Sequence, residues 1–174
     1  MSLINQRRHR PVWPFVLAGS VLLAVLGAVA TFEYMVHRMS DPATPSPVGM
    51  RIDGSRVSVK FPTCPTDRVE TVEVYDSDSE KLLWRAHGPK TSQGERGTVT
   101  LWKADDFVKA APATRPGILP KSLDVSVTYA GTDDGTGGVF DVRAVRDAPL
   151  REGQYWTEGG LMTGARIDAQ LACE

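Results

Sequence analysis

Histidine and cysteine are scarce in this 174-residue chain: three of the first and two of the second. Past residue 50 the only histidine is His87, so a serine–histidine–carboxylate arrangement there would have to use it. His87 precedes Gly88-Pro89 at an expected strand end and reads as a loop histidine. A tetrahedral zinc site takes three or four histidine, cysteine or carboxylate ligands. Here it would need several carboxylates or reduced cysteines, and no catalytic residue, metal ligand or cofactor is assigned. Asparagine is scarcer still: Asn5 stands alone and leaves no N-x-S/T acceptor. No glycine-rich loop follows a strand pattern and opens a helix, as phosphate binding requires. Gly135-Thr136-Gly137-Gly138 lies between two strand patterns instead.

A basic excess is also missing. The whole chain carries 20 Lys and Arg against 21 Asp and Glu. Leaving out Arg7, Arg8, Arg10, Arg38 and Glu33, residues 40–174 hold 16 basic against 20 acidic groups, a net charge of −4. That argues against a nucleic-acid binder, which needs a basic face for phosphates. It argues equally against a polybasic surface for anionic lipid.

What is present begins with a long apolar run. Val12 to Phe32 holds no charged residue over 21 positions, and a helix crosses a bilayer core with about 20. Arg7, Arg8 and Arg10 precede it, which predicts a cytoplasmic N-terminus. Trp13 and Tyr34 bracket the run at headgroup level, with His9 and His37 beside them. The expected organisation is a basic cytoplasmic tail over 1–11, a transmembrane signal-anchor helix over 12–36, a proline-rich linker over 37–50, and an extracytoplasmic domain over 51–174. The alternative is a secreted protein cleaved near Ala30, since Ala28-Val29-Ala30 has the form of a signal-peptidase site. Against it, the apolar stretch exceeds the usual h-region of roughly 7–15 residues. Ser20, Ala24 and Ala28 share one helix face as small residues, a candidate surface for helix–helix packing.

Pro42, Pro45 and Pro47 make the linker a semi-extended spacer. From Gly54 the pattern turns to period two. Val57, Val59 and Phe61 alternate with Arg56, Ser58 and Lys60; Leu123, Val125, Val127 and Tyr129 alternate with Asp124, Ser126 and Thr128. Val72 with Val74, and Phe140, Val142 with Ala144, repeat the theme. Such alternation predicts strands with one face buried and one wet. Asp76–Ser79 and Gly131–Gly138 read as the turns of two antiparallel hairpins. Further strands are expected at Leu82–Trp84, Thr98–Lys103, Gln154–Thr157 and Ala165–Cys173, the last having a short helix as its alternative. Ala104–Ala110 reads as a turn or two of helix stopped by Pro112. The fold class is therefore all-β: an antiparallel β-sandwich of seven or eight strands behind one N-terminal transmembrane helix.

Cys64 and Cys173 lie 109 positions apart, both in the part expected to be exported, where disulfides form and persist. Their pairing is expected to staple the last strand to the start of the fold, the alternative being two free thiols or intermolecular pairing. Asp76-Ser77-Asp78-Ser79-Glu80 resembles the opening of a calcium loop, but Lys81 occupies the glycine position, so a solvated turn is expected. Asp133-Asp134 likewise suits turn chemistry. Trp84 reads as core and Trp102 as either core or surface. Tyr155 and Trp156, among glycines, are candidate binding residues. Adjacent strand residues face opposite ways, so one ring should point outward, able to stack on a sugar or anchor a protein.

Strand count and spacing over Gly54–Cys173 resemble immunoglobulin-like and fibronectin type III-like domains. Trp84 follows Cys64 at a tolerable spacing, whereas Cys173 falls too late and Leu123 stands where the fibronectin pattern has Tyr. The arginine-rich tail, Ala/Val/Leu/Gly anchor and proline-rich spacer also resemble single-pass envelope proteins of high-GC Gram-positive bacteria. That resemblance implies a place, the cell membrane, and no chemistry. The function expected is a membrane-anchored interaction module, with an envelope protein as its partner and no nucleic acid. A cell-wall glycan binder is the alternative, and a carboxylate-dependent hydrolase the third reading.

Overall fold

The structure, a computed structural model, describes residues 47–132, 135–171 and 173. The anchor, its Ser20–Ala24–Ala28 face, the cleavage alternative at Ala30 and the Asp133-Asp134 pair all lie outside the described residues. Among the described residues no helix is long and apolar enough to cross a membrane.

Ten strands are described: β1 (Gly49–Asp53), β2 (Arg56–Lys60), β3 (Val69–Asp76), β4 (Lys81–Pro89), β5 (Thr98–Thr100), β6 (Phe107–Ala111), β7 (Ser122–Tyr129), β8 (Gly135–Asp141), β9 (Gln154–Thr157) and β10 (Gly160–Thr163). Three short helices join them: α1 (Ser92–Glu95), α2 (Val142–Asp147) and α3 (Gly164–Asp168). The strands form two five-stranded antiparallel sheets, ordered β10-β9-β1-β2-β5 and β6-β4-β3-β7-β8. Met50, Val57, Val59 and Val99 of the first sheet share one core with Val72, Val74, Trp84, Leu123, Val125, Val127 and Phe140 of the second. The result is an antiparallel β-sandwich. At roughly 1.5–3 kcal/mol per buried aliphatic or aromatic side chain, this shared core is the main reason that the sheets stay together.

Both expected hairpins form. The β3–β4 pair closes over Ser77–Glu80, and Asp76 accepts from the Asp78 N–H at 3.1 Å and the Ser79 hydroxyl at 2.8 Å. The carboxylate that opened the calcium-like motif is thus spent on the turn. β7 pairs with β8 through Ser122↔Asp141 to Thr128↔Gly135.

Several elements differ from their sequence reading. The described residues form ten strands, where seven or eight were expected. β1 begins at Gly49, inside the stretch read as linker, because Met50 and Ile52 alternate with Arg51 and Asp53. β5 stops at Thr100 rather than Lys103. Leu101 and Trp102 both enter the core between the sheets, whereas consecutive residues of one strand face opposite sides of its sheet. The chain breaks to bury both, with Trp102 at φ 59. Ala104–Ala110 is mostly strand: one 3-10 turn, Ala104–Asp106, precedes β6. There Phe107 packs edge-on against Trp84, with ring centroids 5.4 Å apart. Val142 and Ala144 are helical instead of extending β8. Asp141 caps α2 by accepting from the Arg143 and Ala144 N–H groups at 2.9 Å each, and Val142 and Val145, three apart, enter the core. In the stretch expected as strand or short helix over Ala165–Cys173, the helix forms: α3 is the last described element, capped by Thr163. β10 has no counterpart in the sequence reading, being four residues opened by a glycine.

Helix α3 lies against the outer face of the first sheet. A Cβ on Gly49 would come within 2.6 Å of the Tyr155 Cβ and 2.7 Å of the Ile167 Cδ1. Only glycine lets Ile167, itself fully buried, come this close to β1 and β9. Beside it Lys60 is 4 % exposed, although its position is on the wet face of β2. Its ammonium donates to Asp168 Oδ1 at 2.6 Å and to the carbonyls of Arg96 and Phe61 at 2.9 and 3.0 Å. Asp168 Oδ1 also accepts the Thr63 N–H at 2.9 Å. The Cys64–Cys173 disulfide, Cα atoms 5.6 Å apart, ties the segment after α3 to the β2–β3 connection.

Candidate functional site

The ten residues from Pro112 to Lys121 connect β6 to β7. Pro112, Pro116 and Pro120 fix φ at three of these positions. Arg115 Nη1 donates to the Ser55 carbonyl in the β1–β2 turn at 2.6 Å, and Leu119 packs on the core. The connection is thus held at two points and stiffened at three. Between these anchors Ile118 projects, 90 % exposed. Water contact on nearly all of an isoleucine forgoes most of the roughly 1.5–3 kcal/mol that its burial would return.

Beneath Ile118 a cleft of about 610 Å³ opens between this connection and α2. Among the described residues its charged lining is Arg115, Lys121, Arg143 and Arg146, with Asp141 as the one carboxylate. The backbone N–H groups of Ala144 and Arg143 bind the Asp141 carboxyl and hold it below the ordinary carboxylate range, helped by the Lys121 and Arg143 charges. The cations are poorly neutralised. Arg115 donates to a neutral carbonyl, and Arg143 approaches Asp147 only at 3.6 Å, both side chains exposed. Lys121 and Arg146 make no ion pair among the described residues. On the other side of the connection a second cleft, about 480 Å³, adds Arg56 and the buried Trp102.

The residues singled out in the sequence fall elsewhere. Trp156 lies opposite Met50 in register, and its ring meets Phe140 edge-on at 6.0 Å. It packs against the core. Tyr155 is on the opposite face, beside Gly49 and Ile167, and burial raises its phenol pKa. The outward ring of the pair is therefore Tyr155, and helix α3 partly covers it. His87 belongs to β4 rather than to a loop. Its Nδ1 is 3.1 Å from Thr71 Oγ1 across the β3–β4 pair, and Lys109 is its register partner on the other side. Neither contact supplies a carboxylate to orient the ring. Trp84 is wholly buried, with Trp102 6.4 Å away; both indole N–H groups lack an acceptor among the described residues.

A third cavity, about 750 Å³, lies beside the disulfide and is lined by Lys60, Arg96 and Asp168. All three protons of the Lys60 ammonium are engaged there. The lysine clamps α3 to the first sheet.

The sequence reading missed the cleft below Ile118. Its basic residues are spread from Arg115 to Arg146, and the net charge of −4 over residues 40–174 averages them away. A visible signal existed in Arg115-Pro116-Gly117-Ile118-Leu119-Pro120-Lys121, an apolar pair framed by prolines and cations. No protein-family model, no curated protein and no solved structure matches this chain.

Proposed function

We propose that the β-sandwich opening with β1 is a binding domain, held outside the cell membrane by the anchor over 12–36, and that its task is to engage another envelope protein. Ile118 carries this reading. An isoleucine presented on a proline-stiffened, hydrogen-bonded connection loses little freedom when covered, which is what a binding hot spot requires. Anchoring raises the effective concentration of such a face toward other membrane proteins.

The immunoglobulin-like class is the finer reading of the fold. In that class one sheet runs A-B-E-D and the other G-F-C, extended in variable-type domains by C′ and C″; among the described residues no strand holds the D place beside β5. The order β1-β2-β5 and the order β8-β7-β3-β4-β6 follow it. β6 departs from the pattern, holding the C″ place while following the strand in the E place. The β9–β10 hairpin is an addition at the edge of β1.

The testing experiment is crosslinking in intact cells, followed by purification of the full-length protein from the membrane. A protein recovered in fixed proportion, and reduced when Ile118 is replaced by serine, is the expected result. Recovery of wall polymer without protein would instead favour the glycan reading. Tyr155 is then the residue to replace, because Trp156→Ala would disturb packing on Phe140.

A further inference from the structure

From the cleft below Ile118 we infer the chemistry of the partner: an acidic segment of another protein, carrying an apolar residue among its carboxylates. The inference rests on the interaction reading above. Four cations line one cleft on a part of the chain whose net charge is −4. Like charges gathered with few counter-charges repel one another, and an anionic ligand relieves that repulsion. Asp141, held ionised beside Lys121 and Arg143, offsets one of the four charges and leaves the cleft lining with an excess of three. Arg115, Arg143 and Arg146 present planar guanidinium groups, which pair with carboxylates in two parallel hydrogen bonds.

Charge alone would suit any polyanion. Ile118 selects among them: a phosphate-rich polymer gains nothing from a bare isoleucine, whereas a peptide side chain can cover it. Arginine beside an exposed apolar anchor is also the composition of protein-binding cores. The cleft volume of about 610 Å³ admits a few side chains, not a folded surface.

The test places a photo-crosslinking amino acid at position 118 of the full-length protein, in the cells that produce it. Positions 126 and 155 serve as comparison sites. The expected adduct, formed from position 118, is a protein whose crosslinked peptide carries Asp or Glu beside apolar residues. Its yield should fall about tenfold in Arg143→Glu/Arg146→Glu, because reversing rim charges repels the same segment. An unchanged melting temperature in that variant verifies folding; the single Lys121→Glu change, with a smaller loss, serves if the double variant does not fold. An adduct whose peptide lacks carboxylates, or whose yield survives charge reversal, would overturn the acidic class. Protein adducts from position 126 or 155 but not 118 would overturn the site and leave the interaction reading standing. Glycan adducts alone, or no protein adduct from any of the three positions, would overturn both.

Discussion

The two sheets carry the same alternating pattern, yet their outer faces are finished differently. On the first sheet Gly49, Lys60 and Thr157 point away from the core and are nevertheless buried, beneath α3 and the disulfide-tied segment that follows it. On the second sheet Thr71, Glu73, Arg85, His87, Ser126 and Thr128 also point away from the core, and none of them is buried. They pair across strands instead: Arg85 with Glu73, and Thr71 with His87. A wet face tolerates almost any polar residue. A covered face demands a glycine where a helix touches and a partner for every buried charge. Mutations should therefore separate the two faces sharply.

Reducing the Cys64–Cys173 bond should give the largest effect. A loop of about 100 residues is worth up to ~4.7 kcal/mol in the chain-entropy model. Thermal melts with and without reductant should show a clear drop in midpoint with a folded baseline retained, since neither cysteine belongs to the core. Labelling that finds both thiols free in the native protein would remove the staple from the account.

Next comes Ile167→Ala. Emptying a fully buried site under α3 should destabilise by about 2–4 kcal/mol in denaturant titrations. Asp168→Ala should act similarly, about 3 kcal/mol, because it leaves the Lys60 ammonium buried with two carbonyls and no anion. If both changes cost less than Ser126→Ala on the bare face, α3 is not a structural cap.

Tyr129 gives a smaller effect with a pH signature. Its hydroxyl donates to the Pro62 carbonyl, and burial, with the Asp67 and Asp168 charges, raises its pKa. A phenol harder to ionise when folded stabilises fully below its unfolded pKa near ~10, and that contribution is lost as pH rises beyond it. Tyr129→Phe should cost about 1 kcal/mol at neutral pH and flatten the alkaline loss. An alkaline melting profile unchanged by the substitution would exclude Tyr129 as its source.

Ser126→Ala closes the series, changing stability by no more than about 0.5 kcal/mol. A large cost there would mean that the second sheet's outer face is not simply solvated.

Much of the fold was legible. β2, β3 and β7 follow runs in which every second residue is apolar, and such a run can bury only one face. Lys60 was legible as outward and illegible as buried, because what covers it, Asp168, comes 108 residues later. Val142 misled because two readings share its position: alternation with Phe140, or the first turn of a helix capped by Asp141. The cap decided, since a carboxylate that accepts two N–H groups ends β8 there. The candidate cleft was least legible. Its cations come from two segments, Arg115–Lys121 and Arg143–Arg146, that only the β7–β8 hairpin brings together.

The sequence by itself determined the class of the fold, the two hairpins and the identity of most core residues. Hydrophobic period and turn chemistry are local properties, readable within a few residues. Tertiary structure alone decided that Trp156 faces Phe140, that Lys60 meets Asp168, and that four cations line one cleft with a bare isoleucine. Each of those depends on which distant segments share a surface, and local pattern carries no information about that choice.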